Sequence, residues 1–539
     1  MEKKTTKRVK PSKSRVKPVV LIVMDGLGVR TSQLGNAVYT AKTPNLDSLW
    51  TNYPHALLKA SGKEVGLSQG DPGNSEVGHL TIGSGRIVFQ SQPRIDEYIR
   101  LGKFAEIPSL KEAYIEVKKR KSHIHLLGLL SATGVHAHIE HLFELMRICK
   151  EMDVSPFLHV ILDGRDTGLR DGYLYLNMLK AKMQELGLGA IASISGRQFS
   201  MDRDHKWELT SKAYAAMIGE GKRTTLDPMD MLQKAYNSGE NDQTFEPTTV
   251  VDQAGKPIGA VQDDDVVIFF NYREDRARQL TKAFVLDHFD GFARKKIENL
   301  FFLTMTGYEK GLPVKILFPP SYIHSTVASI VSDAGMDQLH VSETEKYAHV
   351  TYFFNGGVEK PHEKEEFFNI PSPRVFDYSG VPEMSAYIIR DEMVKRIRSK
   401  KYDFILINFA NPDMLGHTGN FEPTVKAVEV TDECVGDIVN AVAMVGGSVI
   451  VTADHGNAEE MVDESTGELN TMHTSNPVPI ILCDSVKEIE SKSTDEKIGT
   501  GPNAVERGIL ADIGPTTLHF LGLKPSEEMT GIDLMSVKL

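Results

Sequence analysis

Six residues, widely separated along the chain, have side chains of the kinds that bind divalent cations: Asp25, Asp413, His417, Asp454, His455 and His473. They supply three carboxylates and three imidazoles, a set that suits Mn²⁺ or Zn²⁺ and accepts Mg²⁺ where oxygen ligands dominate. One catalytic metal ion retains fewer protein ligands than this. We therefore expect a two-metal site, in which paired cations bind the attacking and leaving oxygens of a transferring phosphoryl group.

Each of these candidate metal ligands could also have a purely structural role. Asp25-Gly26 is a common turn sequence, and the four-residue spacing of Asp413 and His417 arises by chance in many helices. Asp454-His455 carries more weight, because adjacent ionisable residues after an apolar strand are costly to bury unless they are paired or coordinated. Since all six candidate ligands follow predicted strands or lie in loops of one chain, metal binding is favoured over a chance occurrence of these residues.

Ser75 is the candidate nucleophile. It lies in the segment DPGNSEVGH, where turn-forming residues lead into a predicted helix start, a place that favours anions. The alternative is that Ser75 only caps this helix. Neither a GxSxG motif nor a Ser-His-Asp pattern surrounds it, so we expect activation by metal coordination, which lowers the pKa of the hydroxyl group.

The elements that must hold these residues alternate between strands and helices. Seven runs are predicted strands: Pro18 to Met24, Ile124 to Leu130, Phe157 to Leu162, Ile191 to Ser195, Val266 to Phe270, Phe404 to Phe409 and Ser448 to Thr452. Nearly all are continuously apolar, as parallel strands buried on both faces should be. The predicted fold class is therefore α/β with mainly parallel sheets, in which ligands bind beyond the carboxyl ends of the strands.

The residues that follow these strands fall into two chemical groups. The first and the last strands are followed by the metal-type residues, whereas the middle strands are followed by polar and cationic residues: His136, Arg165, Asp166, Arg197, Arg203, Arg273 and Arg276. For Arg273 and Arg276 the alternative is an exposed helix face with Glu274 and Asp275 as ion-pair partners. This order along the chain indicates that one α/β domain is inserted into another.

We therefore expect three segments. They are a basic, disordered arm at residues 1–17, a discontinuous metal-binding domain of residues 18–90 and 322–539, and an inserted domain of residues 91–321. Proline-containing segments near both boundaries, residues 90–93 and 312–320, are predicted linkers.

Composition and charge exclude several classes of protein. Of the 539 residues 41% are hydrophobic and 25% are charged, and no apolar run approaches the roughly 20 residues of a membrane span. The first 17 residues hold eight basic side chains and one acidic one, so the rest of this chain of net charge −12 carries −19, which argues against nucleic-acid binding. The cysteines Cys149, Cys434 and Cys483 form no CxxC motif, which is typical of a reducing compartment such as the cytoplasm.

Longer segments resemble the cofactor-independent (2,3-bisphosphoglycerate-independent) phosphoglycerate mutases of the alkaline phosphatase superfamily. The resemblance lies in VVLIVMDGLG, DPGNSEVGHLTIGSGR, DGRDT, SGRQFSMDRD, NYREDRARQL, NFANPDMLGHTGN and VTADHGNAEEM, which together span nearly the whole chain after the basic arm. It implies an alkaline-phosphatase-like metal domain and an inserted substrate-binding transferase domain. The implied reaction is the interconversion of 3-phosphoglycerate and 2-phosphoglycerate in glycolysis and gluconeogenesis, through a phosphoserine, with two Mn²⁺ or Mg²⁺ ions and no bisphosphoglycerate. We further expect a cytoplasmic monomer.

The resemblance also implies a role for each candidate residue. One metal ion is expected on Asp413, His417 and His473, and the other on Asp25, Ser75, Asp454 and His455. Substrate contacts are expected from His136, Arg165, Asp166, Arg197, Arg203, Arg273, Arg276 and, on the phosphate, Lys346. Guanidinium groups match carboxylate and phosphate in bidentate geometry, and Asp166 is the expected general acid or base for the glycerate hydroxyls.

Two other functions compete with this interpretation. A phosphatase, sulfatase or phosphopentomutase of the same superfamily would share the metal site, but a plain phosphatase does not need the arginine-rich insertion. A metal-stabilised binding protein without catalysis is disfavoured, because Ser75 accompanies a complete ligand set. Assays of mutase activity and phosphate release, with and without a chelator, separate the three.

Overall fold

The computed structural model describes residues 17–320, 323–486, 497–501 and 504–537. Apart from Lys17, the predicted basic arm lies outside the described residues. Within the part of the chain that is described, no helix is both long enough and apolar enough to cross a membrane.

The described residues form sixteen strands. In chain order they are β1 Val19–Met24, β2 His55–Lys59, β3 Ile124–Leu129, β4 Phe157–Leu162, β5 Ala190–Gly196, β6 Arg223–Thr225, β7 Thr248–Val250, β8 Val266–Phe269, β9 Phe301–Thr306, β10 Lys315–Phe318, β11 Gln338–Glu343, β12 Glu365–Ile370, β13 Phe404–Phe409, β14 Ser448–Thr452, β15 Val478–Cys483 and β16 Glu506–Ile509.

The same residues form sixteen α-helices. They are α1 Ala37–Thr40, α2 Pro44–Asn52, α3 Ser75–Ser84, α4 Ser91–Arg100, α5 Pro108–Arg120, α6 Ile139–Glu151, α7 Gly172–Leu186, α8 Arg197–Ser200, α9 Trp207–Met217, α10 Pro228–Asn237, α11 Arg278–Val285, α12 Val327–Asp333, α13 Ala386–Ser399, α14 Asn411–Gly416, α15 Phe421–Val445 and α16 Ile513–Phe520. A short 3₁₀ turn, Thr344–Lys346, directly follows β11.

The chain divides into two compact units, each with its own eight-stranded sheet. The described residues of Met1–Phe89 and Tyr322–Leu539 form unit 1, and those of Gln90–Ser321 form unit 2. The predicted α/β class with mainly parallel sheets is confirmed, and the seven predicted strands are present with ends that differ by no more than one residue.

In unit 1 the strands lie in the order β12-β11-β13-β1-β14-β15-β2-β16. The five from β12 to β14 are parallel, and β15 runs antiparallel to both of its neighbours. Strand β1 is central: all six of its residues are buried, and Val19 pairs with Phe404 on one side and Ser448 on the other. Each fully buried aliphatic side chain contributes about 1.5–3 kcal/mol relative to exposure, so this strand anchors the unit.

In unit 2 the strand order is β10-β9-β8-β3-β4-β5-β7-β6, parallel from β10 to β5. The predicted linkers are wrong in detail. Ser91–Arg100 forms the helix α4, and Lys315–Phe318 forms the edge strand β10. In α4 the proline lies in the first turn, where backbone N–H groups make no hydrogen bond within the helix, so none is lost. Beside β10 prolines are tolerated because one side of an edge strand has backbone N–H groups without a partner strand.

Candidate functional site

Four adjacent strands of unit 1 present the polar residues of one site at their carboxyl ends. In the order β11-β13-β1-β14, the residues that follow are Lys346, Asp413, Asp25 and Asp454. Lys346 ends the 3₁₀ turn after β11, and Asp413 lies in the first turn of α14. Parallel register brings these side chains together although they are up to 429 positions apart in sequence.

Ser75 is the first residue of α3, and it is not the helix cap. Asn74 takes that role, because its side chain accepts a hydrogen bond of 3.0 Å from the backbone N–H of Val77. The preceding residue, Gly73, packs so closely against Ala60 that a Cβ atom would overlap the carbonyl oxygen of Ala60. The Ser75 hydroxyl is therefore free of any capping role.

The Ser75 hydroxyl faces three ionisable groups. Its Oγ lies 2.7 Å from Nζ of Lys346, 2.9 Å from Nε2 of His455 and 3.1 Å from Oδ1 of Asp25. The ammonium group can only donate and the carboxylate can only accept, so the serine proton points to Asp25 and a lone pair points to Lys346. Ser75 is only 4% exposed, which strengthens these electrostatic interactions.

Lys346 is a buried cation between two carboxylates. Its Nζ lies 2.6 Å from Oδ1 of Asp25 and 2.5 Å from Oδ2 of Asp413. Burial by itself lowers the pKa of Lys346, but the negative charges of Asp25 and Asp413 outweigh it, and the pKa lies above its ordinary value. The side chain is therefore an ammonium ion in the functional pH range.

The surrounding carboxylates remain ionised. Burial is the largest single effect at Asp25 and Asp413, and it raises the pKa of both. The positive charge of Lys346 and the hydrogen bonds with the neighbouring histidines together outweigh burial, so the two pKa values lie below the ordinary value for aspartate. The opposite happens at His455: burial lowers its pKa, whereas Asp454, Asp25 and Asp413 raise it to about 10. The site therefore carries a concentrated negative potential that favours cations.

His417 and His473 converge in a way that fits a metal ion. Their Nδ1 atoms lie 2.8 Å and 2.9 Å from the backbone carbonyl oxygens of Thr471 and Gly73. Carbonyl oxygens only accept, so each Nδ1 carries the hydrogen and the neutral ring leaves a lone pair on Nε2. These two Nε2 atoms are 3.0 Å apart, and each lies 3.3 Å from Oδ1 of Asp413.

Two imidazole lone pairs and a carboxylate oxygen at these distances repel one another unless a positive charge lies between them. A proton is one source of this positive charge, and the hydrogen bond with Asp413 raises the pKa of His417. A divalent cation satisfies all three donor atoms at once. The donor set of Asp413, His417 and His473 therefore fits a metal ion.

A second set of donors lies around Asp25. Ligand atoms of Asp25, Asp413 and His455 form one close group, and those of Asp25, His79 and Asp454 form another. Oδ2 of Asp454 is buried and accepts no hydrogen bond from the described residues, which leaves a free ligand atom. The predicted second set of Asp25, Ser75, Asp454 and His455 is thus brought together, with Asp413 shared between the two sets and His79 added.

Three polar residues around the metal-type set were not predicted from the sequence. Asn408 donates to Oδ2 of Asp25 at 2.7 Å, and Asn457 donates to Oδ1 of Asp413 at 2.8 Å. Nδ1 of His79 lies 2.9 Å from the backbone oxygen of Ser75 and 3.2 Å from Oδ2 of Asp454. Two features of the sequence could have identified these residues: the four-residue spacing of Ser75 and His79, and the positions of both asparagines within segments that carry candidate metal ligands.

In unit 2, Arg197 organises a separate polar cluster at the carboxyl ends of β4 and β5. Its guanidinium lies 2.5 Å from Oδ1 of Asp163, 2.6 Å from Oδ2 of Asp166 and 3.0 Å from Nε2 of His136. Oδ1 of Asp163 also accepts the backbone N–H groups of Arg165 and Asp166. This buried aspartate therefore fixes the loop that carries both predicted substrate residues.

The Arg197 guanidinium has no acceptor, so Nε2 of His136 must accept and Nδ1 must carry the hydrogen. Burial, Arg197 and Arg273 together lower the pKa of His136 to about 4. The side chain is 3% exposed, and its Nδ1 has no hydrogen-bond partner among the described residues. A buried donor without a partner is suited to a ligand oxygen.

The remaining arginines are more exposed. Arg203 and Arg273 both pair with Asp275, at 2.7 Å and 3.1 Å, so the ion-pair alternative for Arg273 is present in the structure. Arg276 instead donates to the backbone oxygen of Met201 at 3.2 Å. Arg165 is exposed. Burial is the largest cause that lowers the pKa of Arg276, and the positive charges of Arg203, Arg197 and Arg165 lower it as well. These charges form a cluster of cations suited to a small polyanion.

The sequence and the structure are similar to those of known proteins. The family model that matches is the metalloenzyme superfamily, over residues 17–525. A 2,3-bisphosphoglycerate-independent phosphoglycerate mutase from Synechococcus sp. is 46% identical over 96% of each chain, and the protein of that name from Methanococcoides burtonii is 45% identical over 96% of this chain and 98% of its own. The crystal structures of Leishmania mexicana phosphoglycerate mutase at low cobalt concentration match with a TM-score of 0.56 and 30% identity, over 97% of this chain and 99% of that one.

Proposed function

Because this chain belongs to the family of 2,3-bisphosphoglycerate-independent phosphoglycerate mutases and interconverts 3-phosphoglycerate and 2-phosphoglycerate, we propose that it does so through a phosphoserine formed on Ser75. The enzyme is an isomerase of glycolysis and a divalent-metal enzyme. The observation that carries the proposal is the position of the Ser75 hydroxyl, which meets Lys346, His455 and Asp25 within 3.1 Å.

These contacts support a nucleophilic role for Ser75. Lys346 places a positive charge 2.7 Å from Oγ, which stabilises the oxygen as its proton leaves, and Asp25 accepts that proton's hydrogen bond. The Oγ–phosphorus bond forms as the bond between phosphorus and the first glycerate oxygen breaks, and that oxygen takes up one proton for the one that Ser75 gives up. In the second half, the other glycerate hydroxyl loses its proton and attacks the phosphoserine, and the departing Ser75 Oγ takes up a proton.

The metal sites are proposed as one ion on Asp413, His417 and His473 and another on Asp25, Ser75, Asp454 and His455. When bound, such cations supply positive charge that polarises phosphoryl oxygens and lowers the pKa of a coordinated hydroxyl. The mixed carboxylate and imidazole donors favour Mn²⁺, with Mg²⁺ as the alternative.

Unit 2 is the proposed glycerate-binding unit, with unit 1 as the phosphoryl-transfer unit. The guanidinium groups of Arg165, Arg197, Arg203, Arg273 and Arg276 match the carboxylate and phosphate of phosphoglycerate, and the unpartnered Nδ1–H of His136 matches a further oxygen. Asp166 is the proposed general base and acid. Burial is the largest effect on Asp166 and raises its pKa, but the hydrogen bond and positive charge of Arg197, with smaller contributions from His136 and Arg165, together hold the pKa below its ordinary value. A carboxylate is therefore available to accept a proton from one glycerate hydroxyl and to donate one to the other glycerate oxygen.

The expected cellular state is a monomer in the cytoplasm that binds no nucleic acid. The support is the net charge of −12 and the three buried free thiols Cys149, Cys434 and Cys483, which persist in a reducing compartment.

The deciding experiment is conversion of 3-phosphoglycerate by metal-free protein to which Mn²⁺ is added, with no bisphosphoglycerate present. We expect activity that depends on Mn²⁺ and a phosphorylated Ser75 peptide in acid-quenched samples. Activity that requires bisphosphoglycerate, or a phosphoryl group trapped on another residue, would contradict the proposal. Release of inorganic phosphate as the main product would instead support a phosphatase.

A further inference from the structure

Glu459 is a buried carboxylate that the proposed reaction does not use. It lies in the segment after β14, its side chain is fully buried, and none of the described lysine, arginine or histidine residues forms an ion pair with it. A buried carboxylate without a countercharge is costly unless its oxygens accept several hydrogen bonds. The donors that satisfy Glu459 therefore define its role.

Four donors from three separate segments reach the two oxygens of Glu459. Oε2 accepts the backbone N–H of Gly28 at 3.1 Å and that of Asn457 at 2.8 Å. Oε1 accepts the hydroxyl of Thr474 and, at 3.0 Å, the side-chain amide of Asn476. One carboxylate thus joins the segment after β1, the segment after β14 and the segment before β15.

Each of these segments carries a proposed metal ligand close to the bonded residue. Gly28 follows Asp25 by three positions, Asn457 follows His455 by two, and Thr474 directly follows His473. The side chain of Asn457 also donates to Oδ1 of Asp413 at 2.8 Å. Through this short chain of hydrogen bonds, Glu459 reaches ligands of both proposed metal ions.

The space around Glu459 shows that its position is specific. A Cβ atom at Gly28 would overlap the carboxyl group of Glu459, and one at Gly456 would overlap both that group and the hydroxyl of Thr474. Two glycines therefore allow the three segments to close around the carboxylate. A shorter or differently shaped side chain at residue 459 does not satisfy the same four donors.

We propose that Glu459 is a positioning residue, which holds the loops bearing Asp25, His455 and His473 in the geometry that binds the divalent cations. This inference rests on the ligand set proposed above. Four donors already occupy the two oxygens of Glu459, so it acts by fixing three loops that are distant in sequence. Residues with this relation to a metal site change metal affinity by about 10- to 100-fold when they are replaced.

The test compares Glu459→Gln with Glu464→Gln. Glutamine keeps the shape of the Glu459 side chain, but its amide NH₂ group faces hydrogen-bond donors where the carboxylate accepted them. The control residue, Glu464, is an exposed acid of the same region, with 53% side-chain exposure. For each purified protein, Mn²⁺ affinity is measured by calorimetry after chelation, and thermal unfolding is measured with and without Mn²⁺.

We expect Glu459→Gln to bind Mn²⁺ about 10- to 100-fold more weakly and to lose most of the metal-induced rise in unfolding temperature. Its KM for 3-phosphoglycerate at saturating Mn²⁺ should stay within a few-fold, because the arginine cluster is unchanged. Glu464→Gln should behave as wild type. If Glu459→Gln binds Mn²⁺ as tightly as wild type, the positioning role of Glu459 is wrong but the ligand set stands. If His473→Ala binds Mn²⁺ as tightly as wild type, the ligand set itself is wrong.

A second pair of variants applies if Glu459→Gln does not fold. Thr474→Val removes the hydroxyl that donates to Glu459 and accepts the backbone N–H of Asn476, and Thr474→Ser keeps it. Weaker Mn²⁺ binding in the valine variant with recovery in the serine variant supports the positioning role. Equal Mn²⁺ affinity in the two variants overturns it.

Discussion

The ammonium group of Lys346 lies 2.7 Å from the hydroxyl oxygen of Ser75, and both side chains are buried. The same ammonium bridges Asp25 and Asp413, so one positive charge joins the proposed nucleophile to two carboxylates. A serine oxygen held in this way gains stabilisation as it becomes negative, and the incoming phosphoryl oxygens meet a fixed cation. This relationship supports the proposal that Ser75, a serine outside a Ser-His-Asp arrangement, acts as the nucleophile.

Ser75→Ala removes the proposed nucleophile without removing a helix cap, since Asn74 caps α3. We expect mutase turnover to fall by about four orders of magnitude or more, with an unfolding temperature close to that of wild type. Stopped assays of 2-phosphoglycerate formation and thermal unfolding measure both effects. Ser84→Ala, on the same helix and also buried, is the matched control, and near-normal turnover in Ser75→Ala would reject the phosphoserine.

His473→Ala removes one of the two imidazoles whose Nε2 atoms lie 3.0 Å apart. We expect one metal ion to bind at least about 10-fold more weakly, activity to fall by orders of magnitude, and excess Mn²⁺ to restore part of it. Metal content after dialysis and a Mn²⁺ titration of activity provide the measurements. His519→Ala, an exposed histidine of the same unit, serves as the control, and two tightly retained ions in His473→Ala would contradict the ligand assignment.

Arg197→Gln should change the pH dependence of the reaction. Burial raises the pKa of Asp166 and Arg197 lowers it below its ordinary value, so loss of Arg197 lets the pKa rise. Because the carboxylate form is the base, the acidic limb of the kcat/KM profile should move to higher pH, by about 1–3 units.

The control for this shift is Arg223→Gln, which removes a guanidinium that pairs with Glu240 in the same unit. Its pH profile should coincide with that of wild type. An unchanged acidic limb in Arg197→Gln would show that Asp166 is not the titrating base. The variant should also lose about 3–5 kcal/mol of stability, because Asp163 is left buried beside no cation.

Glycerate should stay bound between the two transfer steps. When 3-phosphoglycerate is converted in the presence of labelled free glycerate, the product 2-phosphoglycerate should contain almost no label, because in the proposed mechanism the guanidinium cluster holds the carboxylate while the phosphoryl group is on Ser75. Mass spectrometry of the product measures incorporation. Extensive labelling would refute retention of glycerate even if mutase activity is intact.

The central strands were predictable because burial on both faces leaves a local signature. Strands such as β1, β4 and β13 are runs of apolar residues, and their limits follow from the sequence to within one residue. The edge strand β12, with the sequence EEFFNI and mixed exposure, has no such run. Likewise, Pro319-Pro320 and Gln92-Pro93 suggested linkers, although neighbouring residues form β10 and α4 through contacts that the local sequence does not record.

The candidate ligands were predictable because carboxylates and imidazoles that follow buried strands are costly to bury unless they bind a partner or an ion. The groups that hold them in place were not. Glu459 and Glu460 are adjacent and chemically identical, yet the first is fully buried and the second pairs with Arg30. Only the meeting of three distant segments distinguishes them. Likewise, Lys346 lies between Asp25 and Asp413 because of the order of the strands in the sheet, which the local sequence does not show.

The central position of β1 has a consequence for synthesis of the protein. Its neighbours β13 and β14 begin at Phe404 and Ser448, so at about 5–20 residues per second the ribosome makes β1 roughly 20–80 s before either partner exists. Unit 2 is continuous in sequence and is complete well before then. Throughout that interval the nascent chain carries an apolar strand whose two edges are unpaired. We therefore expect a chaperone to bind the amino-terminal end of the chain while the carboxyl-terminal half of the metal centre is still being translated.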